Sequence, residues 1–306
     1  MSTHPFDSLP DRGKEPRSKR HLDTWIQQAQ AKTGIAARRL GWLAASSVVI
    51  AALQRVRAQD DQPRLLLKGG AYLELRLALR ARATKDVDTL FRGDFDEFLD
   101  VLDASLAEPW GPIELQRTAV EPIDGAIRTV KPRRFDIKLL VGGQVWRSIA
   151  VEVAPDEGLA GANISTVASV PLGHFGLPTP PEFAGIVFDY QVAQKLHACS
   201  DPHQPPELVN DRARDVVDLV LIRNALYDDA ADTAKLRAAC VDLFRSRAAE
   251  AAALGRERRQ WPPTVVPHVH WQTDFAAACS GLDLDITLEA AVATANDWIR
   301  EIDAAQ

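Results

Sequence analysis

The sequence predicts an α/β (α+β) protein: a mixed-sheet domain followed by a helical C-terminal domain. Three observations predict it. LLLKGGAYLELRLALRARATKDVDTLF, residues 65–91, sets two short apolar strands on either side of one helix. RRFDIKLLVGGQVWRSIAVEV, ending at Val153, has the pattern of a hairpin with Gly142-Gly143 at its turn. Beyond the proline-rich stretch PLGHFGLPTPPEF at 171–183, the chain is almost wholly helical in period.

Each element follows in order. Residues 1–20 are polar, charged and contain proline, which predicts a mobile tail. From His21 to Arg57 the pattern is helical: Trp25, Ile26 and Ala29 begin one apolar face, and Trp42–Leu53 forms a second, longer helix. RLLLK and DVDTLF are the strands flanking the next helix. With a two-residue turn, the hairpin sets Asp136 opposite Ile149, on the face that carries Lys138 and Arg147. Glu152 falls on the other face, in line with Ala150 and Ser148. Helices are expected at 189–200, 211–227, 231–255 and 285–303, with Asn210 as the N-cap of the second. The expected division is a tail at 1–20, the sheet domain at 21–178 and the helical domain at 179–306.

Composition narrows the function. The 306 residues are 46% hydrophobic and 25% charged, an ordinary globular mixture. A formal net charge of -6 leaves no global positive field, so a polyanion must be held by a local patch. Cys199, Cys240 and Cys279 are odd in number and widely spaced, which suits a reducing cytoplasm and no zinc motif. The N-terminus has no apolar signal core, and GWLAASSVVIAAL is too short to span a bilayer, so no membrane partner is expected. His268 and His270 have only Asp274 close by as a third ligand, and no metal is expected there.

The chemistry concentrates in residues 65–91. A strand that ends at Lys68-Gly69-Gly70 and turns into a helix presents backbone amides and the helix dipole to a phosphate, and glycine permits close approach. Asp86 and Asp88, two residues apart on a strand, project side by side. Like charges so close call for a cation, and hard oxygens with an open face suit Mg²⁺ (or Mn²⁺) bridging to substrate phosphates. The hairpin offers a third carboxylate: Glu152 is the choice and Asp136 the alternative. Basic residues gather nearby in sequence, Arg76, Arg80, Arg82 and Lys85, then Arg128, Lys131, Arg133, Arg134 and Lys138, as an RNA backbone contact would require.

This arrangement resembles the DNA polymerase beta-like nucleotidyltransferases, and more closely the AbiEii/AbiGii toxin family within them. The matching segments are LLLKGGAYL, RATKDVDTLF, the hairpin ending in VEVAPDEG, YQVAQKLHA and RARDVVDLVLI, in the family's order from residue 65 to 222. Departures are Ala71, where many relatives have Thr or Ser, Glu152, where Asp is usual, and Gln194, where Glu usually precedes the lysine. The resemblance implies a nucleotidyltransferase domain, with the active cleft between it and the helical domain. It implies that an NTP is bound at Lys68, Gly69 and Gly70, and Mg²⁺ at Asp86, Asp88 and Glu152. It also implies functional roles for Lys195 and Asp215, while Asp218 is read as structural or solvated. It further implies the toxin of a bacterial toxin–antitoxin pair, adding nucleotides to the 3′ acceptor end of tRNA, with a cognate antitoxin encoded nearby. Two alternatives are a transferase acting on a small molecule or protein, and a degenerate fold that only binds nucleotide or a partner.

Overall fold

A computed structural model describes residues 5–77, 80–124, 128–227 and 233–305. The first four residues of the expected tail, residues 78–79 of the opening stretch, 231–232 of the third expected C-terminal helix and residue 306 lie outside the described residues. The chain divides into two compact units, one of residues 1–79, 83–156 and 164–185, the other of 80–82, 157–163 and 186–306.

In the first unit α1 (Lys19–Thr33) ends at Gly34, whose φ of 73° stops the helix, and α2 (Ala37–Leu53) follows. Gly41 and a near-continuous run from Leu43 to Leu53 are buried in α2. A helix apolar on all sides is a core helix, which is how GWLAASSVVIAAL is used. The sheet strands are β1 (Leu65–Lys68), β2 (Asp86–Phe91), β3 (Glu114–Arg117), β4 (Glu121–Pro122), β5 (Arg133–Val141), β6 (Gln144–Pro155), β7 (Ile164–Ala168) and β8 (Glu182–Ile186). Helix α3 (Gly69–Arg76) lies between β1 and β2, and α4 (Phe98–Leu106) between β2 and β3. Among the described residues the sheet order is β3-β5-β6-β2-β1-β8-β7, with β4 on β5. β2 runs antiparallel to β1 and parallel to β6, so the mixed sheet is as expected.

The sheet has two unlike faces. Val87, Thr89, Phe135, Ile137, Val151 and Val153 are buried on one; α2 packs on β6 and α4 on β3. Asp86, Asp88, Arg134, Asp136, Ala150 and Glu152 alternate onto the other, where exposure is intermediate or high.

Two expectations change here. The hairpin turns at Gly142-Gly143 as expected, but its register shifts between Leu139 and Leu140, so Asp136 pairs with Ala150 and not with Ile149. The extra residue is Trp146, which the bulge keeps buried, with its indole N–H donating to Asp23. A one-residue slip moves a side chain to the opposite face, so Asp136 shares a face with Glu152. Arg147 pairs with Asp23 at 3.2 Å. The expected mobile tail is also changed over its described part: Phe6 and Leu9 are buried, and Phe6 meets Phe175 edge-on at 5.6 Å. Two apolar side chains in a polar segment suffice to tie it down.

The second unit is helical: α5 (Phe188–Cys199), α6 (Ala213–Leu226), α7 (Thr233–Ala253), α8 (Trp271–Cys279) and α9 (Leu288–Ala304). α5 packs on α6 and α7, and α6 on α8 and α9. Residues 80–82 and 157–163 belong to this unit, where ion pairs join Arg82 to Asp218 and Glu157 to Arg247. Asn210 does not cap α6. It is buried, and its side-chain amide donates to the carbonyls of Ala198, Cys199 and Asp201. It thus satisfies the end of α5, where helix carbonyls lack partners. α6 begins at Ala213, so Asp211 is outside it and pairs with His270 at 3.1 Å. Among the described residues no single helix is long and apolar enough to cross a membrane.

Candidate active site

The site in the first unit is built from three neighbouring strands and one turn. β1 passes into α3 at Gly69, whose φ is +65°, with Lys68 extended before it. Lys68 is paired across the ladder with Asp88. A Cβ at position 69 would collide with the Asp88 carboxylate and stand 3.0 Å from the Asp88 Cβ. Glycine is therefore required twice, for the left-handed backbone and for the carboxylate packed over it.

Asp86 and Asp88 point to the same face, as their spacing predicts. The register then aligns Asp88 with Glu152 and Arg134 across β2, β6 and β5, and Asp86 with Ala150 and Asp136. Glu152 is thus on the strand next to Asp88, whereas Asp136 lies two strands from Asp86. Both face the site. Arg134 donates through Nε (2.9 Å) and Nη2 to the same Glu152 oxygen. Burial, and then the charge of Glu152, hold the Asp86 carboxyl above its ordinary range, against the opposing pull of Arg134 and Lys85. The Arg134 guanidinium is pushed up, first by its bonds to Glu152, then by the Coulomb fields of Glu152, Asp86 and Asp88.

A divalent cation is the group this donor set suits. Among the described residues no three His, Cys, Asp or Glu side chains form a ready cage for a metal. Mg²⁺, however, is commonly held by one or two carboxylates with substrate phosphates completing the shell. Two half-buried carboxylates on one face, one resisting ionisation beside a third acid, fit that pattern.

Lys195 and Asp215 form a second cluster, in the helical unit. The Lys195 ammonium lies 2.7 Å from Asp215 Oδ1 and 2.7 Å from Asp218 Oδ2. Asp218 has no exposed surface, and its two oxygens accept from Nε and Nη2 of Arg82 at 2.9 Å each. Asp215 is 3.7 Å from Arg212. Burial opposes the charge on Lys195, but the two carboxylates outweigh it and raise its pKa. Burial likewise pushes Asp215 up, and Lys195, Arg212 and Arg82 override it to hold the carboxyl below its ordinary range. Gln194, beside the lysine, donates to Glu157 at 2.6 Å, so a buried acid stands by it from another segment. His203 lies tilted against His268 at 4.4 Å and stacks on His270 at 4.5 Å between centroids, a meeting the sequence did not predict.

Sequence reasoning missed Arg82, Arg134 and Asp218 as members of these clusters. The two arginines were expected to hold RNA, and each is engaged by an acid of its own unit. Arg76, Arg80, Lys85 and Lys138 are exposed. A signal for Arg134 existed: it alternates with Asp136 on a strand, next to the strand of Glu152.

The family described as nucleotidyl transferase AbiEii toxin, type IV TA system, matches residues 51–301. Among solved structures, MenT4, a nucleotidyltransferase toxin from Mycobacterium tuberculosis H37Rv, aligns at 17% identity and TM-score 0.48, covering 94% of this chain and 97% of that one. No curated protein matches the chain.

Proposed function

The chain belongs to the AbiEii family of nucleotidyl transferase toxins of type IV toxin–antitoxin systems, and on that basis we propose that it transfers NMP from an NTP to the 3′ end of tRNA and so blocks translation in the bacterial cytoplasm. The observation that carries this reading is the alignment of Asp86, Asp88 and Glu152 on one sheet face beside the Gly69 turn. Asp86, Asp88 and Glu152 would hold Mg²⁺ or Mn²⁺, with Asp136 the alternative third acid. Bound there, the cation supplies Lewis-acid stabilisation of the α-phosphate and activation of the acceptor hydroxyl.

The chain's own residues supply the rest. Gly69 and Gly70, with Lys68, form the turn where backbone amides and a cation can bind the triphosphate. Asp88 is steadied against Gly69, and Arg134 balances the charge on Glu152. The acceptor oxygen bonds to the α-phosphorus, the α–β anhydride bond breaks, and pyrophosphate leaves. Lys195 and Asp215 are assigned to transfer on the family pattern of YQVAQKLHA and RARDVVDLVLI. A cognate antitoxin encoded nearby follows from the type IV family.

A second reading, transfer to a small molecule or protein, is favoured by one observation: Arg82 and Arg134 are already engaged by acids. The purified protein incubated with Mg²⁺, total bacterial RNA and each labelled NTP in turn separates the two. Label in the tRNA band that fails to appear when the RNA 3′ ends are oxidised beforehand supports the first reading. Label only in protein or small-molecule fractions supports the second.

A further inference from the structure

We propose that Arg134 is the resident counter-ion of the acidic face and competes with the incoming divalent cation for Glu152. The proposal rests on the reading of Asp86, Asp88 and Glu152 as the cation site. Three facts carry it. Arg134, Glu152 and Asp88 occupy one register line across β5, β6 and β2. Two guanidinium nitrogens of Arg134 converge on the same Glu152 oxygen. The Arg134 side chain is 61% exposed and that of Glu152 27%, so the arginine lies at the outer edge and the acids further in.

The physical need is plain. Asp86, Asp88, Asp136 and Glu152 face the same side of the sheet, and like charges gathered on one face repel one another. A protein that folds before its cation arrives requires an interim positive charge, and Arg134 provides it. Because the arginine is largely solvated, the ion pair is weak enough to be broken by a divalent ion. Arg134 is thus a positioning residue. It engages Glu152 from the β5 side, opposite Asp88, and makes cation entry depend on its departure.

The test reads cation binding without nucleotide. Mn²⁺ is titrated into the full chain and free Mn²⁺ is followed by electron paramagnetic resonance, for wild type, Arg134→Ala, Arg134→Gln, Arg134→Lys and Asp86→Asn. Arg134→Ala and Arg134→Gln should bind Mn²⁺ about three- to fivefold more tightly, the range a solvent-open ion pair commands. Arg134→Lys should stay near wild type. The difference should shrink at about 1 M KCl, where charges are screened over about 3 Å. Should Arg134→Ala fail to fold by circular dichroism, Arg134→Gln carries the comparison. Unchanged or weaker binding in the Arg134 variants, with Asp86→Asn lowering it, overturns the counter-ion role alone. Binding that Asp86→Asn leaves intact overturns the cation site itself.

Discussion

Arg82 and Asp218, 136 residues apart, form a two-pronged ion pair with both hydrogen bonds at 2.9 Å, and the carboxylate has no exposed surface. Lys195 joins the same carboxylate at 2.7 Å. Removing one partner of a buried pair strands the others, a loss of about 3–5 kcal/mol. Asp218→Ala should therefore lower the unfolding midpoint strongly in urea or heat. A variant that melts like wild type would place Asp218 among solvated acids.

Gly69 should tolerate no side chain. Gly69→Ala adds about 1–3 kcal/mol of backbone strain at positive φ, and its Cβ must displace Asp88. A displacement of about 1 Å at a catalytic group costs about 100-fold in rate. Gly143→Ala is the control, since Gly143 has φ of +74° with nothing within 4 Å. Both variants should lose stability by thermal unfolding, Gly69→Ala the more, and only Gly69→Ala should lose transfer.

Asp86→Asn and Asp88→Ala should abolish transfer with the fold retained, and each should relieve growth arrest when the chain is expressed without a cognate antitoxin. The pH dependence has a definite sign. A carboxyl raised in the folded state binds protons more tightly there, so stability declines as pH rises from its unfolded value of about 3.9. Asp86→Asn removes that decline. Its stability relative to wild type should grow with pH and then level off above the folded value. Parallel curves would mean that Asp86 is not pressed by burial and Glu152 as described.

Asp215 has the opposite sign. Its folded carboxyl lies below the ordinary range because Lys195, Arg212 and Arg82 outweigh its burial. Its contribution is present above the unfolded value of about 3.9 and is lost as pH falls through the folded value. Acid titration of Asp215→Asn should show a shallower loss of stability than wild type at the acid end. At neutral pH, Lys195→Ala and Asp215→Ala should lower transfer about 100- to 1000-fold if they act on the transferring phosphate. Retention of more than about a tenth of the wild-type rate would confine the pair to a structural role.

The parts legible in the sequence are those set by backbone periodicity. Side chains two apart on a strand share a face, so Asp86 and Asp88 were identifiable as a pair from DVDTLF alone. The strand–Gly-Gly–helix turn, the hairpin at Gly142-Gly143 and the helical second half followed from equally local patterns. The ordered segments from residue 65 to 222 were enough to identify the family.

Tertiary structure decided whatever depends on a partner distant in sequence. The bulge at Trp146 shifted the hairpin and turned Asp136 onto the site face, because burying an indole outweighed an unbroken ladder. Asn210, a good N-cap by local rules, went instead to the carbonyls that end α5. Arg82 and Arg134 look alike in sequence to solvent-facing RNA contacts, but carboxylates brought near by folding claim both. Local spacing is dictated by the helix and strand periods, which any short segment carries within itself. Register, capping partner and ion pairing are settled by which groups must leave water together, and that only the folded chain determines.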